Sequence, residues 1–304
     1  MSALDLRIDV GHPLVRAGLA LYPLFGDGPV APDYLPGPVA SAAGSLVVSE
    51  REDGPSVPEL SVTNAGGLPA LLVEGESLLG GWQNRTLNVS VLIAAGASAA
   101  VPVSCVERGR WGGAPDGART APTMSPSALR GRKSRGVADR VLAGSMSRAA
   151  DQGDVWQAVS EYATRLDAAS PTEALADVQH ARHGDVMAMV AGTRPLRGQR
   201  GVAAAIGGQV RSVDLFDRPK TLGAYWDALV SGYALDAVGL ATETVPPGRR
   251  AVMQAFTDLR GARTRSVAGI GLGQEVHAVG PAVTAGALVW DDVCVHLALH
   301  CAPA

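Results

Sequence analysis

Arg85-Thr86-Leu87-Asn88-Val89-Ser90-Val91-Leu92-Ile93, then Ala94-Ala95-Gly96-Ala97-Ser98, then Ala99-Ala100-Val101-Pro102-Val103-Ser104-Cys105-Val106-Glu107, is the stretch whose reading decides the fold. Leu87, Val89, Val91 and Ile93 fall on odd positions and Thr86, Asn88 and Ser90 on even ones, the two-residue period of a half-buried strand. The residues around Gly96 read as a turn. Beyond it Ala99, Val101, Val103 and Cys105 share the odd face. An antiparallel return then sets Val91 opposite Val101, Val89 opposite Val103, Leu87 opposite Cys105 and Arg85 opposite Glu107. A slip of one residue would turn one apolar face to the wrong side, whereas a slip of two keeps the parity.

Polar residues gather at the ends of this predicted hairpin, as Glu74-Gly75-Glu76, Gln83-Asn84-Arg85 and Cys105-Val106-Glu107-Arg108-Gly109-Arg110-Trp111. Arginine offers a rigid fork of donors for carboxylate or phosphate, amides add orientable donors and acceptors, and glutamate serves as a general base. The candidate ligand-binding residues are therefore Gln83, Asn84, Arg85, Arg110 and Trp111, with Trp82 as a second aromatic wall. The candidate catalytic residues are Glu107 and Glu76 as bases and Cys105 as a nucleophile. The competing reading is a structural Arg85–Glu107 pair closing a sheet, with Cys105 a small buried hydrophobe on the apolar face.

Outward from the hairpin, short strands are expected at Leu19 to Phe25, Leu46 to Arg51, Glu59 to Asn64 and Pro69 to Glu74, divided by turn residues. Val155, Val159, Tyr162 and Leu166 recur at helix spacing, and Ser170-Pro171-Thr172-Glu173 has the pattern of a helix start. From Val202 to Leu215 a glycine-interrupted strand pair is expected. Two amphipathic helices follow, with Leu222, Tyr225, Trp226, Leu229 and Tyr233 on one face and Val252, Ala255, Phe256 and Leu259 on the other's. A β section from Ser266 to His300 ends the chain. The fold class read from this order is α+β, with β-rich N- and C-terminal portions around a helical middle. Its portions are 1–107, 108–200 and 201–304, joined in one compact unit.

Arg108 to Arg148 carries nine basic residues against two acidic ones in a chain of net charge −3. It opens on the flexible run Gly112-Gly113-Ala114-Pro115-Asp116-Gly117, and Ser125-Pro126 suits a helix start. The segment reads as a mobile cover whose field attracts a phosphate-bearing ligand or RNA, or as an arginine-rich surface pairing with the acidic remainder.

Composition narrows the classes further. At 304 residues, 47% hydrophobic and 18% charged, the chain buries a large core and is neither disordered nor broadly suited to nucleic acid. Cys105, Cys294 and Cys301 are too few and too scattered for a disulfide framework, which points to a reducing cytoplasm. Met1 to Val10 lacks a continuous apolar core, and no export signal or membrane span is expected. Gly269-Ile270-Gly271-Leu272-Gly273 lacks the spacing of a nucleotide fingerprint and reads as a bend between strands. No cofactor can be named, and no metal site is expected. His296 and His300 lie four apart on a strand, too far to be adjacent ligands, and His180 with His183 has no third ligand at metal spacing.

Val73-Glu74-Gly75-Glu76-Ser77-Leu78 with Gln83-Asn84-Arg85, and Val103-Ser104-Cys105-Val106-Glu107-Arg108-Gly109-Arg110-Trp111, resemble the signature of an uncharacterised prokaryotic family. That family is named for association with ADP-ribosylglycohydrolases and rhodanese-phosphatase-superfamily proteins. The likeness extends through Gly153-Asp154-Val155-Trp156, Gly207 to Phe216 and Val295-His296-Leu297. It implies an ADP-ribose-like or NAD-derived anion as ligand, and no catalytic assignment transfers with it. A basic residue is expected just before Gln-Asn-Arg in such members, where Gly81-Trp82 stands here. The expected function is binding, with hydrolysis or group transfer, of such a small-molecule anion near Arg85 and Glu107. The alternative is a non-catalytic ligand-binding or interaction protein.

Overall fold

A computed structural model of the chain describes every residue except 1–3, 5, 53, 55, 115, 116, 242 and 304. Part of the N-terminal stretch read for an export signal, and Pro115 and Asp116 of the glycine-rich run, thus lie outside the described residues. The fold is α+β, with strands dominating both terminal portions and, of the seven helices among the described residues, five falling between residues 127 and 237.

The largest sheet has nine antiparallel strands. Its path runs Asp9–Val10, Leu19–Phe25, Gly201–Ile206, Gln209–Phe216, Val293–Cys301, Val283–Trp290, Gln274–Val279, Arg263–Ala268, and Leu14–Arg16 also pairs with Leu19–Phe25. Leu19–Phe25 lies beside Gly201–Ile206, so the two terminal portions share this sheet. A second sheet orders Arg119–Met124, Glu76–Leu79, Arg85–Leu87, Ser98–Cys105, Glu59–Asn64 and Leu46–Ser49. A third joins Val91–Ile93, Ala70–Leu72 and Leu35–Pro36.

One face of the large sheet is apolar: Val213, Leu215, Leu297, Leu299 and Ala285 pack against Val252, Phe256 and Leu259 of the helix Arg249–Arg260. The opposite face carries Ser212, Asp214, His296 and His300, all buried, and meets the helix Ser127–Leu142. Strand periodicity places these polar residues together, because alternate side chains share a face. The long helix Pro219–Ala237 supplies Leu222, Tyr225, Leu229 and Tyr233 to the main core, as its spacing predicts.

The predicted hairpin is corrected in two ways. Arg85–Leu87 does pair with Ser98–Cys105, but with Leu87 opposite Val103 and Arg85 opposite Cys105, a slip of two. Val91–Ile93 leaves that ladder and pairs with Ala70–Leu72 instead. The break falls at Asn88-Val89-Ser90, whose polar side chains hold distant partners. Asn88 donates to the Arg148 carbonyl at 3.1 Å and accepts from the Ser104 hydroxyl at 2.7 Å, and Ser90 meets His296 at 2.7 Å. These buried bonds outweigh continued pairing, since an orphaned interior amide or hydroxyl costs about 1–3 kcal/mol.

Two further expectations change. Ser170-Pro171-Thr172-Glu173 forms a turn, and the helix begins later, at Leu175–Ala181, with the Ser170 hydroxyl accepting from the Ala174 N–H at 2.7 Å. The basic segment is not a wholly solvated face: its helix Ser127–Leu142 drives Arg130 and Lys133 into the interior.

Candidate functional site

Ser127–Leu142 presents Arg130, Lys133, Ser134 and Val137 at spacings of three and four, one face of a helix. Arg130 donates to Glu74 through Nε at 2.9 Å and grips Asp214 with both Nη atoms at 2.9 and 2.7 Å. Lys133 donates to the Leu87 carbonyl at 2.5 Å and stands 3.4 Å from Glu74. His300 lies between Ser212, at 3.1 Å, and Glu74, at 3.5 Å. Tyr233 also donates to Asp214. Beside this cluster Arg148 pairs with Glu275 at 2.9 Å, and His277 meets the same carboxylate at 2.8 Å.

Gly75 makes the arrangement possible. Its φ is +87°, and a Cβ there would fall 2.6 Å from Arg130 Nε, so only glycine lets this backbone bend so close to the guanidinium. Burial opposes the charge on Glu74, but Arg130, Lys133 and His300 override it and hold the carboxyl down to about 2. Asp214 is likewise driven well below the usual carboxylate range: burial opposes ionisation, and the Arg130 charge with hydrogen bonds from His296 and Arg130 prevails. Lys133 moves the other way, down to about 8, because burial outweighs the neighbouring Glu74 charge.

His300 also lines a cleft of about 1600 Å³ between the helices Ser127–Leu142 and Gln152–Arg165 and the end of the large sheet. Five arginines line its walls, and four are committed: Arg132 to Glu161 at 2.5 Å, Arg135 to Asp139 at 3.1 Å, Arg165 to the Val238 carbonyl at 2.9 Å and Arg108 to Glu173 at 3.8 Å. Arg211 differs. The register between Gly201–Ile206 and Gln209–Phe216 shifts at Ala204, leaving Arg211 as the extra residue of a bulge, and its side chain has no hydrogen-bond or ion-pair partner among the described residues. Bulges commonly re-aim a side chain in this way. Across the cleft Trp156 lies under Arg108, 5.5 Å from ring centre to guanidinium carbon, with its buried indole N–H unpartnered. Asp236, also on the cleft wall, is pushed up by burial despite accepting from Ser127 and Tyr162.

Most residues singled out by sequence do meet at the end of the six-stranded sheet, but not as an Arg85–Glu107 pair. Glu107 binds Arg110 at 2.6 Å, and it also accepts from the Asn84 N–H and the Thr172 hydroxyl, each at 3.0 Å. Burial opposes its ionisation, yet these bonds hold it below the ordinary value. The register accounts for the change, since a two-residue slip carries Glu107 past Arg85. Arg85 is fully buried: its Nε donates to the Val57 carbonyl at 3.2 Å, and both Nη atoms have no hydrogen-bond partner among the described residues. Gln83 donates to the Glu107 carbonyl at 3.1 Å, and the Cys105 thiol lies 3.2 Å from the same oxygen. Trp111, 52% exposed, meets Trp82 edge-on at 5.3 Å. Glu76 turns away from this group into the core, where it accepts from Tyr225 at 3.1 Å and burial lifts its carboxyl to about 7.

Sequence reasoning missed Arg130, Lys133, Asp214, His300 and Ser90 as members of one cluster. The one available signal was the spacing of Arg130 and Lys133, three apart on a predicted helix whose inward positions also include Leu129, Val137, Ala138 and Val141. Glu50 was missed as well. Its Oε1 accepts from the Trp82 N–H at 2.9 Å and its Oε2 is buried without a partner, like Gln83 Oε1 and Trp82 Nε1.

Among the described residues no group of three or more His, Cys, Asp or Glu side chains is placed to hold a metal ion, and no helix is long and apolar enough to cross a membrane. A family model described as the ARG and Rhodanese-Phosphatase-superfamily-associated Protein domain, ARPP-1, matches residues 7–300. No curated protein and no solved structure matches the chain.

Proposed function

Because the chain belongs to the ARPP-1 family, whose name records association with ADP-ribosylglycohydrolase and rhodanese-phosphatase systems, we propose that it binds an anionic, ADP-ribose-like molecule in the cleft beside Ser127–Leu142. The observation that carries this reading is Arg211, a bulge residue without a partner, on the wall of the same cleft as Trp156. A pyrophosphate needs uncommitted donors, and an adenine ring needs a flat apolar surface; Arg211 supplies the first and Trp156 the second, while Arg108, 3.8 Å from Glu173 and over the Trp156 ring, is already engaged. The volume of about 1600 Å³ exceeds that of a typical small-molecule pocket and suits a dinucleotide-sized ligand.

A second reading places the anion at Arg85. It is favoured by the unpartnered Arg85 Nη atoms beside Gln83 Oε1 and Glu50 Oε2, since buried polar atoms normally have partners. Calorimetric titration of ADP-ribose separates the two. The cleft reading expects binding that weakens at least about tenfold in Arg211→Ala and Trp156→Ala, the loss of about 1.4 kcal/mol or more per contact. Weakening confined to Arg85→Ala moves the ligand to the second site, and no binding to wild type removes ADP-ribose. Mass spectrometry of the recovered ligand decides between hydrolysis or group transfer and simple binding.

A further inference from the structure

We propose that Ser90, His296 and Asp214 form a nucleophilic relay that activates the Ser90 hydroxyl to attack the carbonyl of a short-chain carboxylic ester. Neither the family name nor the cleft assigns these residues a role. They come from three places in the chain: Ser90 from the break between Arg85–Leu87 and Val91–Ile93, Asp214 and His296 from adjacent strands of the large sheet. Ser90 Oγ lies 2.7 Å from His296 Nδ1, and His296 Nε2 lies 3.1 Å from Asp214 Oδ1.

The direction of each bond follows from the chemistry of the partners. An ionised Asp214 only accepts, so His296 Nε2 carries the hydrogen and Nδ1 is left with its lone pair. The Ser90 hydroxyl therefore donates to Nδ1, which makes that nitrogen the base. This is the division of labour of a serine hydrolase, recognised by roles and geometry, with the two ring nitrogens exchanged. The relay is also held rigidly. Arg130 grips Asp214 with two donors, Phe216 stacks on the His296 ring at 4.6 Å, and the Glu74 N–H donates to Ser90 Oγ at 3.0 Å.

Ser90 faces a void of about 20 Å³, room for one water-sized group, walled on the sheet side by Gly286, Ala287 and Ala298 together with Glu275 and His277. A void of that size excludes a bulky acyl chain and takes even a short one only as it widens. Ser134 and Val137 close the helix side, so the acyl group enters as that wall yields. In the first step Ser90 Oγ bonds to the carbonyl carbon while its proton passes to His296 Nδ1. Collapse breaks the ester C–O bond, and the proton leaves with the alcohol. Water then attacks the acyl-serine, giving its proton to Nδ1, and the returning proton regenerates Ser90 as the carboxylic acid departs. Asp214 stays ionised throughout, and nothing is oxidised or reduced.

The test treats the full chain with a small fluorophosphonate and, separately, with p-nitrophenyl acetate, mapping adducts by mass spectrometry. The expected result is one adduct per chain on Ser90 and a burst of one p-nitrophenolate per chain, both absent from Ser90→Ala with its fold checked by circular dichroism. Labelling is expected to slow about 10²–10⁴-fold in His296→Gln, the usual contribution of a general base. No adduct on Ser90 of the folded wild type overturns the proposal, as does labelling of Ser90 that is equally fast in a folded His296→Gln. Because wild-type mapping needs no variant, a misfolded His296→Gln leaves the test intact. Neither readout involves the cleft anion, so this proposal and the ADP-ribose reading stand or fall separately.

Discussion

Glu76 is a carboxyl whose burial runs against ionisation: Tyr225 and the Val73 N–H both donate to one oxygen and favour the charge, but desolvation outweighs them, and the other oxygen is buried without a partner among the described residues. Its value near 7 in the folded chain lies above the ordinary 4.5. Below pH 4.5 it is protonated whether folded or not, and it makes no contribution to the pH dependence. Between 4.5 and 7 the folded chain keeps a proton that the unfolded chain releases, so stability falls as pH rises, and above 7 the penalty is complete at about 3 kcal/mol. Glu76→Gln should remove that fall. Urea unfolding at pH 5 and pH 8 measures it, and an unchanged difference between the two pH values in the variant would refute the assignment.

The helix Ser127–Leu142 carries the consequences at the level of an element. Arg130 neutralises Glu74 and Asp214 at once, so Arg130→Met leaves Asp214 in the interior without its guanidinium and Glu74 with Lys133 as its remaining full cation, and is expected to cost about 3–5 kcal/mol. Adding Asp214→Asn to that variant should recover part of the loss, because it removes one of the stranded charges; a double-mutant cycle by chemical denaturation reads the coupling. Gly75→Ala attacks the same contact from the other side. With its Cβ 2.6 Å from Arg130 Nε and a positive φ, it should destabilise by about 1–3 kcal/mol, visible as a lowered urea midpoint.

Over the whole molecule, this cluster ties the bends at Glu74 and Ser90 to the large sheet at Asp214, His296 and His300. Glu74, held at about 2 against an ordinary 4.5, contributes stability that is complete above pH 4.5 and is lost as pH falls from there toward 2, about 3 kcal/mol in all. Acid should therefore loosen the junction between the sheets, and Glu74→Gln should flatten the acid limb of the stability curve. We further expect tryptophan fluorescence and far-ultraviolet circular dichroism to report one coincident thermal transition near neutral pH, as one compact unit requires. Two resolved transitions would mean that the sheets unfold separately.

The alternation from Arg85 to Cys105 determined by itself that Arg85–Leu87, Val91–Ile93 and Ser98–Cys105 are extended, though not the break at Asn88-Val89-Ser90, because period two is a property of the local backbone. The helices carrying Tyr225 and Phe256 were legible for the same reason, from the spacing of apolar residues along one stripe. Strand partners were not. A slip of two leaves every face unchanged, so nothing local distinguishes Cys105 from Glu107 as the residue opposite Arg85, and bonds from Asn88 and Ser90 to distant partners decided it. Arg130 and Lys133 read as part of a solvent-facing charge run because their compensation lies far along the chain. Glu74 is 56 residues before Arg130 and Asp214 is 84 after it, and a charge can be buried only where the fold brings such partners within hydrogen-bond reach. Local periodicity was thus written in the sequence, while the pairing of charges, and with it both candidate sites, was decided by tertiary contact alone.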